Sequence, residues 1–247
     1  MRLVRFFVLP GLMFAMASSA LAADLDIQLE GGAVWFSKND ARIPGDGGTR
    51  FDMLDLTGKG SDPYVRFYAN YAFNDRHALR LTLAPLEVSG VGNLREDVTF
   101  QDEVFTADTP TKGEYKFSTY RLTYRWSFYE QERWRWGVGV AALVRDAKVA
   151  LQQGNKRQSK DDLGLVPLLH LYGEYQANDQ LAIVLDIEGA WSPMGRAIDA
   201  ALMARYDLDS RWYMAAGYRT LEGGGDNNEV YSFAWLHYAL ATIGYRF

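Results

Sequence analysis

The chain has 247 residues, a formal net charge of −5 and no cysteine. The lack of cysteine excludes disulfides and thiolate metal sites, and the acidic balance argues against nucleic-acid binding, which needs a clustered basic surface. A length of this size fits one large domain or two small ones.

The first 22 residues have the three parts of a secretory signal peptide. Arg2 and Arg5 give a positive start, residues 6–16 form an apolar run, and Ala20-Leu21-Ala22 supplies a small-x-small cleavage site. The apolar run is shorter than the roughly 20 residues that a membrane-spanning helix needs. We therefore predict export, with the mature chain being residues 23–247 and carrying a net charge of about −7.

The mature chain repeats segments of alternating polar and apolar residues, which is the pattern of a transmembrane β-barrel. The pattern predicts an all-β fold, a closed antiparallel barrel of ten strands, with eight as the alternative. The ten predicted strands are Leu25–Phe36, Tyr64–Phe73, Ala78–Val88, Tyr115–Phe128, Trp134–Leu151, Leu163–Tyr175, Leu181–Trp191, Ala197–Tyr206, Trp212–Leu221 and Val230–Phe247. The last strand must pair with the first, because a membrane does not tolerate an open sheet edge.

Short polar turns alternate with longer loops between these strands, as in bacterial outer-membrane barrels. The longer loops are Ser37–Asp62, Ser89–Glu114, Gln152–Asp162 and the glycine-rich stretch from Glu222. A further strand around Val98–Phe105 would extend a hairpin beyond the membrane.

Aromatic residues fall near both ends of the predicted strands. One group flanks the short turns, and another, with Trp35, Trp191 and Trp235, lies near the longer loops. Two such belts mark the two interfaces of a membrane.

The strand positions that alternate with the apolar ones hold many charged residues, and these positions would face the lumen. The predicted lumen charge network comprises Arg80, Arg121, Arg125, Arg145, His170, Glu174, Asp186, Glu188, Asp199, Arg205 and Arg219. Folding the hairpins about their turns places His170 opposite Asp186 and near Arg145. The same construction places Asp199 opposite Arg219.

Three interpretations of this network remain open. It could be a salt-bridged plug, because the interior of a small barrel is just wide enough for side chains to fill it and arginine can pair several carboxylates. It could line a narrow polar pore. It could also hold a catalytic base, His170 oriented by Asp186, although the neighbouring inward positions offer no serine nucleophile. The other strand histidine, His237, has Ser232 nearby in sequence, but the two residues lie on opposite faces of the strand.

Two loop motifs have simple explanations. Gly223–Glu229 has oxygen ligands close together but lacks the spacing of an EF-hand loop. Ile43–Arg50 is glycine-rich but lacks the Lys-Ser/Thr ending of a phosphate-binding loop. We predict that both are turns, and we expect no metal and no cofactor.

With these features, the chain resembles a Gram-negative outer-membrane β-barrel protein over essentially all of residues 23–247. In that class a final strand ending in Phe, with apolar or aromatic residues at alternate positions, is the signal that the barrel-assembly machinery reads, and Ile243, Tyr245 and Phe247 match it. The resemblance implies the outer membrane as the location, with outer-membrane lipid and the barrel-assembly machinery as partners.

The patterns of three enzymatic subfamilies of this class are not matched. Outer-membrane proteases with ten strands carry an Asp-x-His near the external rim, where this chain has Trp235 two residues before His237. Small lipid A deacylases use a His-x-Ser, and the sequence HYA at His237 departs from it. Palmitoyl-transferring barrels have eight strands and an N-terminal amphipathic helix, and this sequence predicts no such helix. We therefore expect a structural or binding barrel that acts through its external loops, with a narrow channel as the alternative and a lipid-modifying enzyme after that.

Overall fold

The computed structural model describes residues 25–247, and β-strands make up most of it. The predicted signal peptide, residues 1–22, lies outside the described residues. The elements in chain order are β1 (Leu25–Arg42), β2 (Phe51–Asp52), α1 (Leu54–Thr57), β3 (Asp62–Asn74), β4 (His77–Ala84), β5 (Glu87–Asn93), β6 (Val98–Phe100), β7 (Glu103–Phe105), β8 (Pro110–Gln131), β9 (Trp134–Gln153), β10 (Lys156–Gln176), β11 (Leu181–Ser192), β12 (Gly195–Asp207), β13 (Trp212–Asp226) and β14 (Tyr231–Arg246).

These strands form a closed antiparallel barrel with a wall of ten strands, which confirms the predicted fold class. β4 and β5 together make one wall strand, because both pair with β8 on either side of Pro85. The barrel closes where β14 pairs with β1 from Asp26 opposite Arg246 to Arg42 opposite Tyr231. The Phe247 amide adds a hydrogen bond of 2.9 Å to the Leu25 carbonyl.

The period-two alternation of the sequence is what sorts side chains between the two faces of the wall. On β11, for example, Val184, Asp186 and Glu188 are buried in the lumen, whereas Ile183, just before them, is exposed on the outer face. The outer face is thus apolar at the height where the lumen is charged. The two ends of the barrel are named here after their connections: the turn end has the short turns, and the loop end has the long ones.

No helix between residues 25 and 247 is long and apolar enough to cross a membrane.

Exposed aromatic side chains ring the outer wall near both ends. At the turn end, Trp126, Trp212 and Phe247 are exposed on the wall. At the loop end, Trp191 and Trp235 are exposed in the same way. The two belts therefore lie where the sequence places them.

The longer loops depart most from the sequence prediction. The expected loop Gln152–Asp162 is wrong: β9 and β10 continue as strands to a tight turn at Gly154, where φ is +58°. The reason is that alternation continues through charged residues above the apolar band, so β8, β9 and β10 reach 22, 20 and 21 residues. The expected strand at Val98–Phe105 is present as the small hairpin of β6 and β7.

The loop end of the lumen is filled by a cap, which we define as residues 43–57 and 94–107. Met53, Phe100 and Phe105 of the cap are fully buried, and they join one apolar core with inward wall residues such as Val34 and Leu236. Gly90 and Gly92 on β5 permit the close approach of α1, since a Cβ at Gly92 would lie 2.0 Å from the Asp55 carbonyl oxygen. The cap is thus built into the barrel rather than resting on it.

Candidate functional site in the lumen

Below the cap, eight charged side chains fill the middle of the lumen. We call this group the plug: Glu30, Arg66, Arg80, Arg121, Asp186, Glu188, Asp199 and Arg219. It comprises four guanidinium groups and four carboxylates, so its formal charge is zero. Burying charge is costly unless each charge is paired and hydrogen-bonded, and the plug meets that condition through contacts between opposite walls.

Asp199 accepts hydrogen bonds from three arginines. Arg121 Nη2 lies 2.6 Å and Arg66 Nη1 lies 3.1 Å from its Oδ2, and Arg219 Nη1 lies 2.7 Å from its Oδ1. These arginines come from β8, β3 and β13, while Asp199 is on β12. One carboxylate therefore ties together strands from around the circumference.

Glu30 on β1 is the second centre of the plug, with 1% of its surface exposed. Arg219 Nη2 donates to Glu30 Oε2 at 2.9 Å, and the hydroxyls of Tyr64 and Tyr68 each donate to Glu30 at 3.0 Å. The sequence prediction missed Glu30. The signal was available, since Asp26, Gln28 and Glu30 form an inward polar row on the first strand.

Glu188 and Asp186 on β11 share Arg80. Arg80 Nη2 lies 2.8 Å from Glu188 Oε1 and 3.1 Å from Asp186 Oδ1. Arg121 Nη1 donates to Glu188 Oε2 at 2.8 Å, and the Thr123 hydroxyl donates to Oε1 at 2.6 Å. Four of the predicted network residues, two arginines and two carboxylates, thus meet here.

The predicted registers are shifted by two residues in two cases. Tyr172, not His170, lies opposite Asp186, although His170 Nε2 still approaches Asp186 Oδ1 to 3.3 Å across the diagonal. Ala201 lies opposite Arg219, and Asp199 reaches the guanidinium diagonally.

The prediction that Arg145 lies near His170 is wrong. Because β9 and β10 pair up to the turn at Gly154, Gly164 lies opposite Arg145, and Gly139 lies opposite His170. Arg145 pairs with Asp162 above the plug. It therefore takes no part in the mid-lumen network.

Three more of the predicted residues lie below the plug, around a cavity of about 530 Å³ at the turn end. Arg205 makes two hydrogen bonds of 3.0 Å to Glu174. Arg125 instead stacks its guanidinium over the Tyr172 ring, 4.1 Å from its centre. Gly137 on β9 leaves room for this side chain, because a Cβ there would lie 3.1 Å from the Arg125 chain.

His170, Asp186 and Glu188 are the one group within residues 25–247 whose spacing suits a metal ion, with ligand atoms within 4.8 Å of one another. The carboxylate oxygens of this group already accept hydrogen bonds from Arg80, Arg121 and Thr123. A bound cation would have to displace Arg80 from both acids, so these residues do not fit a metal. The arrangement is that of an ion-pair network.

The plug and the cap together fill the lumen above the cavity. A void of about 10 Å³ lies between them, lined by Arg66, Phe117 and Tyr238 among others. That volume is about what one water molecule needs.

The three predicted assembly residues lie on the outer wall of β14 or beside it. Ile243 and Tyr245 pair with Leu29 and Ile27 of β1. The Tyr245 ring lies 4.8 Å from the rings of both Trp212 and Phe247, within the turn-end belt. Their role as an assembly signal stays a prediction.

Comparison with solved structures assigns the architecture. The outer-membrane protease OmpT of Escherichia coli superposes with a TM-score of 0.51 at 10% sequence identity, covering 92% of this chain and 97% of that one. The fold is that of a Gram-negative outer-membrane β-barrel. In barrels of this kind the short turns are periplasmic and the long loops external; in this chain the cap lies at the loop end and the cavity at the turn end.

Two other barrels align at lower scores. The attachment invasion locus protein Ail of Yersinia pestis gives a TM-score of 0.42 at 10% identity, covering 91% of this chain and 99% of that one. An outer-membrane channel from Pseudomonas putida F1 gives 0.41 at 8% identity, covering 93% and 100%. No protein-family model and no curated protein matches the sequence.

Proposed function

We propose that this chain is a closed outer-membrane barrel, a structural or binding protein whose lumen conducts no solute and whose working surfaces face outward. The plug is the observation that supports this proposal. Its four carboxylates each accept from arginine, and a solute crossing the lumen would have to break several buried ion pairs at once. Breaking one buried pair costs roughly 3–5 kcal/mol.

The cap adds a second barrier of a different kind. Its buried apolar side chains, such as Met53 and Phe100, would have to leave their core before water could pass. The external surface available for binding is then the top of the cap and the tall hairpin of β9 and β10, which carries Lys156, Arg157 and Lys160.

The alternative function is a narrow channel for small solutes. The turn-end cavity favours it, since Arg125, Arg135 and Arg246 line its volume of about 530 Å³, on the side that faces the periplasm in barrels of this kind. A channel requires that the plug and the cap both move aside.

A liposome swelling assay separates the two functions. Proteoliposomes with the purified barrel, diluted into arabinose, should swell no faster than protein-free vesicles, while a general porin reconstituted in parallel swells rapidly. Swelling in proportion to the amount of folded barrel would favour the channel.

We also propose that the assembly machinery reads the C-terminal residues. Deleting Phe247, or replacing it with Asp, should abolish the heat-modifiable gel migration of the folded barrel, because the side chain belongs to the turn-end belt. An Arg133→Gln variant, changed in the exposed turn between β8 and β9, is the control. Normal migration of the Phe247 deletion would contradict the proposal.

A further inference from the structure

The outer wall holds a serine in hydrogen-bond contact with a histidine. In the pairing of β1 with β14, Phe36 lies opposite Leu236 and Lys38 opposite Trp235, so Ser37 is the extra residue of a β-bulge. The bulge changes which face successive residues of β1 point to. Phe36 before it and Asn39 after it are three residues apart, yet both are buried in the interior. Ser37 is therefore exposed on the outer wall beside β14.

The histidine in contact with Ser37 is His237 on β14. His237 Nε2 lies 2.8 Å from Ser37 Oγ, and its Nδ1 lies 2.5 Å from the Tyr218 hydroxyl oxygen. Trp35 stacks on the imidazole with ring centres 5.7 Å apart, and Tyr218 does so at 6.1 Å. A nucleophile, a base and a group that orients the base thus follow one another in hydrogen-bond contact, which is the arrangement of an activated serine.

The height of this group on the wall suits a lipid ester. His237 precedes Tyr245 of the turn-end belt by eight residues on the same strand. At about 3.4 Å per residue and a tilt of about 40°, it lies roughly 20 Å above that belt. The apolar band of such barrels is about 25 Å tall, so the serine lies near its external boundary, among the exposed rings of Trp235 and Tyr218.

We propose that Ser37, His237 and Tyr218 form a lipid-facing esterase site that hydrolyses ester-linked acyl chains of outer-leaflet lipids. The two sources of such esters are glycerophospholipid and the lipid A part of lipopolysaccharide. The site lies outside the lumen, so it functions with the plug and the cap in place.

The reaction has two acyl transfers. Ser37 Oγ adds to the ester carbonyl carbon while His237 Nε2 takes the hydroxyl proton; the bond to the lipid alcohol then breaks, and the alcohol leaves with that proton. Water attacks the resulting acyl-serine ester in the same way. His237 passes the water proton to Ser37 Oγ, and a free fatty acid leaves.

Tyr218 is a positioning residue in this site. For His237 to act as the base, the imidazole proton must sit on Nδ1, where the Tyr218 oxygen accepts it, leaving Nε2 free to accept from Ser37. Lys38 follows Ser37 in the bulge and forms an ion pair with Asp40 at 3.6 Å.

A similar pair at the other belt provides an internal control. His77 Nδ1 lies 2.6 Å from the Tyr124 hydroxyl, with the rings stacked 5.9 Å apart. Within residues 25–247, the hydrogen bonds of the His77 ring do not include a serine. His77→Asn therefore removes a His–Tyr pair of the same kind without touching the proposed nucleophile.

The first test is covalent labelling with a fluorophosphonate, which bonds to an activated serine and releases fluoride. We expect the folded barrel in detergent micelles to be labelled at Ser37, located by peptide mass spectrometry. Ser37→Ala should abolish the label, His237→Asn should slow it by roughly 10²–10⁴-fold, and His77→Asn should leave its rate unchanged. Heat-modifiable migration verifies that each variant is folded.

The second test identifies the lipid. Proteoliposomes of phosphatidylethanolamine and phosphatidylglycerol are assayed for free fatty acid and lysophospholipid, and vesicles with lipopolysaccharide are assayed for a lipid A that has lost one acyl chain. Release that depends on Ser37 in one of the two assays supports the proposal and names the source. Tyr218→Phe should lower that rate about tenfold or more and displace its pH profile, which a purely structural role would not do.

A folded barrel that takes no label at Ser37, or that releases fatty acid equally as wild type and as Ser37→Ala in both assays, would overturn the proposal. Neither result would bear on whether the lumen is closed.

Discussion

The middle and the turn end of the lumen use the same residue types to opposite effect. In the middle, arginines and carboxylates meet in direct contact around Glu30 and Asp199, and the apolar cap closes the space above them. At the turn end, Arg125 stacks on Tyr172 and a cavity of about 530 Å³ remains. The difference shows that inward charge alone does not decide whether a small barrel is filled. What decides it is whether acids from opposite walls reach the arginines and whether a loop folds in above them.

The largest effect should follow from breaking the plug at Asp199. Asp199→Asn keeps the side chain's shape but leaves Arg66, Arg121 and Arg219 with one buried carboxylate fewer. Removing one partner of a buried ion pair costs roughly 3–5 kcal/mol. Urea unfolding of the barrel in lipid vesicles, followed by tryptophan fluorescence, should show a lowered free energy of unfolding.

Glu222→Gln is the matched control for Asp199→Asn. Glu222 pairs with Arg196 on the exposed outer rim, where ion pairs contribute little, so its unfolding curve should overlay that of wild type. Equal effects of the two substitutions would show that the plug is as well solvated as the outer rim.

The next largest effect should come from displacing the cap from the loop end of the lumen. In Gly92→Val, the new side chain meets the backbone of α1, since even a Cβ would lie 2.0 Å from the Asp55 carbonyl oxygen. Overpacking of this kind costs about 1–3 kcal/mol, and the displaced segment should expose the chain around Lys59. Trypsin cleavage there should accelerate, while Gly47→Ala, whose Cβ would come no closer than 3.7 Å to Pro44, should behave like wild type.

A smaller effect is expected at the turn end of the lumen. Arg205→Gln removes the two hydrogen bonds to Glu174, but water in the cavity can solvate the carboxylate that remains. The unfolding free energy should fall by about 1–3 kcal/mol, less than for Asp199→Asn. A loss as large as that of Asp199→Asn would mean that the cavity is as dry as the plug.

The smallest effect is a pH dependence of the cap. Partial burial raises the pKa of Asp52 above its usual range, and the hydrogen bond from the Leu54 amide only partly offsets it. A raised pKa means that the folded cap binds the proton more tightly than the unfolded one, so the cap is most stable below the ordinary aspartate pKa. Stability is lost as the pH rises through the raised pKa.

The measurement for Asp52 is the trypsin cleavage rate at Lys59 as a function of pH, corrected for the enzyme's own profile. Asp52→Asn should remove the dependence. An unchanged dependence in that variant would assign it to another group.

The sequence predicts the wall well and the contents of the lumen only in part. Alternation identifies all ten wall strands, because the sheet has one face toward lipid and one toward the lumen. It cannot fix register, which depends on turn geometry, and so Arg145 was expected near His170 although it pairs with Asp162. The lumen position of Glu30 could have been predicted from the same alternation, because Glu30 shares a strand face with Asp26 and Gln28.

The period-two pattern of the sequence cannot predict the cap or the contact between Ser37 and His237. The cap forms because α1 and the β6–β7 hairpin pack against wall residues distant in sequence, such as Leu236. Ser37 reaches His237, 200 residues away in the chain, through the closure of β1 on β14 and the bulge between them. Sequence spacing alone offered only Ser232, which lies on the other parity.

Planar-bilayer recording of the folded, heat-modifiable barrel tests the closed lumen most directly. We predict that a bilayer containing the wild-type protein shows no stable unitary conductance across the usual voltage range, because the plug and the cap both block the path. Stable unitary steps whose amplitude falls in Arg121→Gln would contradict the account, since they would place permeating ions beside an arginine of the plug.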